Sequence, residues 1–252
     1  MQTVFSKSEG IMGKLLFGEK TEFTKEEFDE KGHIKASGLL HHFERIASDH
    51  ADALGYGSDV LIKKNWIWVL SKVKYTMHGN IREGETYDIF TYPIPDRGTL
   101  YPRGYYITEG TGKLVAAAMS QWCIVNFRTR KLEKTALKMD GEYIDPPAFQ
   151  EKIEKIRCRD MTEAGVYVAE AEDIDINRHV NNSRYADIVS HITGRNDYKS
   201  FTINFHKETF PGDKICLFRG DVKDPAAGCG AGIVVDGRLE DGTDVFRAKV
   251  IY

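Results

Sequence analysis

The sequence predicts an α+β chain made of two similar halves, each an antiparallel sheet laid against one helix. Three observations predict it. A helical apolar repeat occurs early in the chain and again past its middle. Each is followed by four strand-like runs bounded by turn residues. A short motif also recurs ahead of each helix, Asp29-Glu30-Lys31-Gly32-His33-Ile34 and then Asp175-Ile176-Asn177-Arg178-His179-Val180. Both keep Asp and His four residues apart and follow His with a β-branched residue.

The first helix is expected over Ser37 to Leu54. There Leu39, Phe43, Ile46, Ala47, His50, Ala51 and Leu54 share one face, Ser37 caps the start and Gly55 ends the run. Strands are expected at Trp66–Thr76, Thr86–Tyr92, Gly104–Thr108 and Leu114–Phe127. From Glu133 to Arg157 the pattern fails around Pro146-Pro147, which predicts a linker with a short helix over Phe149–Ile156. The units are therefore drawn at 1–132, a linker at 133–164, and 165–252. Order resumes with a strand at Val166–Ala169 and a helix at Asn182–Thr193, closed by Gly194. Strands follow at Ser200–Lys207, Lys214–Gly220, Gly230–Leu239 and Thr243–Tyr252. Phe201-Thr202-Ile203-Asn204-Phe205-His206 alternates cleanly, as a strand with one covered and one wet face should.

Composition excludes several classes. Apolar residues are 41%, charged residues 29% and net charge −3, so the field is not that of a nucleic-acid binder. No window approaches the roughly 18 apolar residues of a membrane span. Cys123, Cys158, Cys216 and Cys229 are scattered without C-x-x-C spacing, which speaks against a zinc site and fits a reducing cytoplasm. Residues 1–16 lack the pattern of a secretory signal. His41, His42 and His50 lie on the first helix without Glu at ligand spacing, so helix packing is the expectation and no metal is assigned. No Gly-rich phosphate loop of the Walker type is present. Arg128, Arg130, Lys131, Lys134 and Lys138, opposed only by Glu133, form a basic strip suited to an acidic partner.

The chemistry gathers at Asp175 to Asn182. Each residue alone reads as a turn or helix cap. Together they place a neutral-range base, His179, beside Asp175 and Asn177 on one face of an extended stretch. A helix N-terminus follows, whose free N–H groups can stabilise an oxyanion.

Asp-x-Asn-x-His-Val-Asn-Asn followed by Tyr185 resembles the acyl-acyl carrier protein thioesterases of plant plastids and bacteria. His50-Ala51-Asp52-Ala53-Leu54-Gly55, Trp66-Ile67-Trp68-Val69-Leu70-Ser71-Lys72, Ser120-Gln121-Trp122 and Thr129-Arg130-Lys131-Leu132 are similar to first-half segments of that family. The resemblance implies a tandem hotdog fold, two antiparallel sheets each wrapping a central helix, with no cofactor. It implies hydrolysis of an acyl thioester on acyl carrier protein, with Asp175, Asn177, His179 and Glu208 catalytic. Many members carry Cys after that Glu. Here Thr209 stands there, with no activating base in sight, which favours water as the nucleophile.

Asn181 and Asn182 are expected to meet the thioester carbonyl. Leu39, Phe43 and Trp68 are expected to line the acyl pocket from the first half. Asp29 and His33 are expected to be a remnant, since Lys31 replaces Asn. Pairing of two chains into a homodimer is compatible with the sequence. Rivals are an acyl-CoA thioesterase of the same fold, a hotdog hydratase and a non-catalytic acyl-binding module.

Overall fold

The computed structural model describes residues 15–95, 98–135, 137, 139–144, 153–174, 179–222 and 232–252. In the first half, β1 (Phe17–Glu22) precedes helix α1 (Ala36–Ala53) and the short helix α2 (Ser58–Leu61). Then come β2 (Trp66–Met77), β3 (Thr86–Pro93), β4 (Tyr101–Glu109), β5 (Leu114–Asn126) and a two-residue β6 (Lys131–Leu132). The second half runs β7 (Thr162–Val168), α3 (Asn182–Thr193), β8 (Ser200–Phe205), β9 (Lys214–Val222), β10 (Gly232–Leu239) and β11 (Asp244–Ile251).

The described strands form one sheet in the order β1-β3-β4-β5-β2-β8-β11-β10-β9-β7, with β6 attached to β5. The halves join where β2 pairs antiparallel with β8, Lys72 opposite Asn204 and Thr76 opposite Ser200. Tyr75 stacks on Phe201 across that joint. Helices α1 and α3 pack on one face of the sheet and touch each other. One continuous core, including Leu39, Phe43, Ile46, Tyr105, Tyr185, Phe201, Ile203 and Phe246, fills the space between. Burial of that apolar surface is the main force holding the helices in place. Among the described residues no helix is long and apolar enough to cross a membrane.

The repeated motif has a structural counterpart. Phe28 bridges Ile34 around the first copy, and Ile174 bridges Val180 beside the second. A helix starts two residues after each bridge. The caps differ. Asn181 accepts a hydrogen bond from the Ser183 N–H, whereas Lys35 caps α1 without a side-chain bond. Ser37, expected to cap α1, therefore lies inside it. A lysine gives no such bond because its side chain has no acceptor.

Three further boundaries differ from expectation. β4 begins at Tyr101, three residues early, since Pro102 occupies a register position opposite Gln121. β7 begins at Thr162, within the stretch expected to be linker. Phe149 to Lys152 lie outside the described residues, and 153–157 carries no helix. Ile153 and Ile156 are instead buried, and the Asn204 side chain donates to the Glu154 carbonyl at 3.2 Å. Glu154 also pairs with Lys249 at 3.0 Å. The linker thus covers the sheet face opposite the helices, so Thr202 and Asn204, expected to be wet, are buried.

Candidate active site

A cavity of about 1350 Å³ opens between the two halves. Its walls include Trp68, Leu70, Tyr101 and Trp122 from the first half, and His179, Asn182, Tyr185, Phe205 and Glu208 from the second. Trp68 lies edge-on to Tyr101 and Trp122, making a rigid aromatic wall.

α3 and the end of β8 position the polar corner. Val180 N–H donates to the Thr209 carbonyl at 2.9 Å, and Tyr185 and Thr209 share a hydroxyl bond of 2.8 Å. These ties fasten the segment after β8 to the start of α3. His179 Nε2 then faces Glu208 Oε1 at 3.9 Å, with both side chains partly open. That gap exceeds a direct hydrogen bond and suits polar atoms sharing a water or a substrate atom.

Asp173 holds the helix start from behind. Its carbonyl accepts from the Asn181 N–H at 2.9 Å, and its carboxylate accepts from Tyr167, the Glu170 N–H and Arg184. Burial pushes its pKa up, but those hydrogen bonds outweigh burial and leave it lowered. The two asparagines consequently differ. The Asn181 N–H is committed to Asp173. The Asn182 N–H has no hydrogen-bond partner among the described residues, and Asn182 lines the cavity. It lies in the first turn, where the helix end is partly positive.

Arg130 completes the corner and was not foreseen as a site residue. Asn126 builds the turn after β5 by accepting from the N–H groups of Arg128 and Thr129, each at 3.1 Å. Arg130 adopts φ 56° there and reaches Glu208 Oε2 at 3.3 Å. A first-half guanidinium thus meets a second-half carboxylate. In the sequence its marks were its place in the basic strip and in the family-like segment Thr129-Arg130-Lys131-Leu132.

Of the remaining expected residues, Asp175 and Asn177 lie outside the described residues, as does Lys138. Trp68 stands on the cavity wall. Leu39 and Phe43 do not, which corrects the expectation: they are 0% and 2% exposed and fill the core between α1 and the sheet, Phe43 against Tyr105. Helical periodicity marks a buried face without telling core from cavity. Asp29 spends its carboxylate on the N–H groups of Lys31 and His33, the His33 ring and Asn196, away from the cavity. His42 pairs with Glu27 and Thr21. Thr209 is 0% exposed and does not reach the cavity wall.

Comparison with known proteins accords with this geometry. Residues 14–143 match the acyl-ACP thioesterase N-terminal domain and residues 157–244 match its C-terminal domain. A palmitoyl-acyl carrier protein thioesterase of Cuphea hookeriana chloroplasts is 24% identical over 84% of this chain and 56% of its own length. A dodecanoyl-[acyl-carrier-protein] hydrolase of Cinnamomum camphora chloroplasts is 26% identical over 84% of this chain and 60% of its own. The chain thus spans little more than half the length of these relatives. The crystal structure of an acyl-ACP thioesterase from Bacteroides thetaiotaomicron superposes with a TM-score of 0.84 at 22% identity, covering 94% of this chain and 97% of that one. A 12:0-ACP thioesterase from Umbellularia californica gives 0.78 at 20% identity, covering 94% and 93%. The fold is the tandem hotdog of those structures.

Proposed function

Because the chain belongs to the acyl-ACP thioesterase family, we propose that it hydrolyses the thioester of an acyl chain carried on acyl carrier protein, releasing a free fatty acid and the carrier thiol. The observation that carries this is the His179–Glu208 pair, 3.9 Å apart on the wall of a large cavity with an aromatic side. Glu208 and His179 hold a water between them, and Glu208 takes its proton as the oxygen attacks the thioester carbonyl. The Asn182 N–H faces the developing oxyanion. Asp175 and Asn177 are assigned to orient water and carbonyl, following the family pattern. The tetrahedral intermediate collapses by expelling the thiolate, which the proton held on Glu208 or His179 then neutralises. Thr209 supports water over a side-chain nucleophile, since its hydroxyl is sealed against Tyr185.

The acidic carrier is assigned to the exposed strip Arg128, Lys131 and Lys134, which runs along the turn and strand next to Arg130 and just past that strand. Trp68, Tyr101 and Trp122 are assigned to the acyl chain. The test is a thiol-release assay of one acyl chain on carrier protein and on coenzyme A, with the released acid identified. Preference for the carrier thioester supports the proposal. Preference for the coenzyme A thioester overturns the carrier assignment, and turnover of an enoyl thioester without thiol release overturns hydrolysis itself.

A further inference from the structure

The aromatic wall is interrupted by a cation. Arg103 lies on β4 between Tyr101 and Tyr105, on the face that turns toward α1, and it lines the cavity. It is only 8% exposed. Its Nη1 donates to His50 Nδ1 at 3.0 Å and to the Thr91 hydroxyl at 3.3 Å. Burial, and then the Arg103 charge, push the His50 pKa down to about 3, so the imidazole is neutral and its Nδ1 is an acceptor. Among the described residues no carboxylate pairs with Arg103, and its Nε and Nη2, which are not among the buried unpartnered atoms, open to the cavity without a protein hydrogen-bond partner. Two neutral acceptors and the weakly negative end of α1 are thus its compensation. A buried guanidinium with five donors ordinarily has far more.

Its position within the cavity is also informative. Arg103 pairs with Ser120 of β5, whereas the turn presenting Arg130 to Glu208 begins at Asn126. Six residues of strand separate the two, about 20 Å. The cation therefore stands well away from the thioester corner, where the outer part of an acyl chain would run.

We propose that Arg103 is a specificity-determining residue that accepts an oxygen-bearing group, hydroxyl, oxo or carboxylate, on the distal part of the acyl chain. This rests on the thioester-hydrolase proposal for what fills the cavity. A plain hydrocarbon there leaves the open donors of the guanidinium unpaired, and a distal oxygen supplies the missing acceptor.

The test uses matched chains over a series of lengths: unsubstituted, ω-hydroxy and ω-carboxy. As free acids they compete with a fluorescent fatty acid for the wild-type protein, and as carrier thioesters they are followed by thiol release. The expected result is a preference of about ten-fold or more for at least one oxygenated series, consistent with a hydrogen bond to a charged group. In Arg103→Met the ratio falls to near one. The hydroxy and carboxy arms distinguish a neutral from an anionic acceptor. Equal or better binding of the unsubstituted chain by the wild type overturns the proposal, as does an unchanged ratio in Arg103→Met. Should that variant not fold, the wild-type ratio decides. Hydrolysis without preference sinks the Arg103 assignment alone, while a binding preference without hydrolysis of any chain sinks the hydrolase proposal alone.

Discussion

Thr209→Val tests how the corner is held. The substitution keeps the shape of the side chain and removes a hydroxyl that is 0% exposed and bonded to Tyr185 at 2.8 Å. Tyr185 is buried, and burial pushes its pKa up to about 12, so its phenol stays protonated and needs a partner. Loss of the hydroxyl–hydroxyl bond, which leaves the buried phenol only the Thr209 backbone as a polar neighbour, costs about 2 kcal/mol. For a chain of this size that is a drop of about 4–8 °C in Tm. Tyr185→Phe should cost a similar amount. The double variant should fall well short of the sum, because each single variant already loses the same hydroxyl–hydroxyl bond, with a coupling energy of about 1 kcal/mol or more. Turnover at 25 °C should fall by about ten-fold at most, since the Val180–Thr209 backbone bond still fastens the segment carrying Glu208. Thermal unfolding of the four proteins and their thiol-release rates check this. Additive losses would refute the pairing. Abolished turnover in a folded Thr209→Val protein would refute the water mechanism and make the hydroxyl a reactant.

Further predictions follow from other parts of the structure. His50 has a folded pKa of about 3 against an ordinary 6.5, so its contribution to stability is complete above pH 6.5 and is lost as pH falls toward 3. The gap between wild type and His50→Asn in urea unfolding should narrow by about 1 kcal/mol from pH 7.5 to 5.5, and a constant gap contradicts the burial of a neutral ring. Asp236 is 0% exposed and accepts from Arg238 at 2.7 Å and Arg247 at 3.1 Å. Asp236→Asn should cost about 3 kcal/mol in urea unfolding, and a loss within error would show the pair to be solvated. Lys131→Glu with Lys134→Glu should raise KM for a carrier-borne acyl group several-fold, roughly as charge reversal at an interface rim does, and leave KM for the coenzyme A thioester in place. Equal changes for both substrates would place the carrier elsewhere.

The fold was readable because its determinants are local. The 3.6-residue period of Leu39 to Leu54 arises from one helix burying one face, and the two-residue period of Phe201 to His206 from a strand whose apolar side chains all point toward the helices. The first half's opening strand, Phe17–Glu22, was not delimited, because its edge position leaves a broken pattern, with Lys20 and Glu22 exposed. Burial of Thr202 and Asn204 was not readable, because the covering linker is distant in sequence. Within the site, His179, Asn181 and Asn182 were marked by a dense local motif, and Glu208 only by family resemblance. Arg130 depends on a turn built by Asn126 and a contact between halves, which no local pattern records. Leu39 and Phe43 were misplaced for a related reason: residues on one helical stripe face the same way, but only the opposing sheet decides where packing ends and cavity begins.

Glu208 is proposed to activate water against an acyl thioester. The most direct measurement is single-turnover thiol release by wild type and Glu208→Gln, with intact-protein mass recorded during the reaction. A loss of about 10²-fold or more is expected in the variant, with free acid and thiol released in equal amounts and no acyl group added to the protein mass. Near-wild-type release by Glu208→Gln, or a protein mass increased by one acyl group, would contradict it.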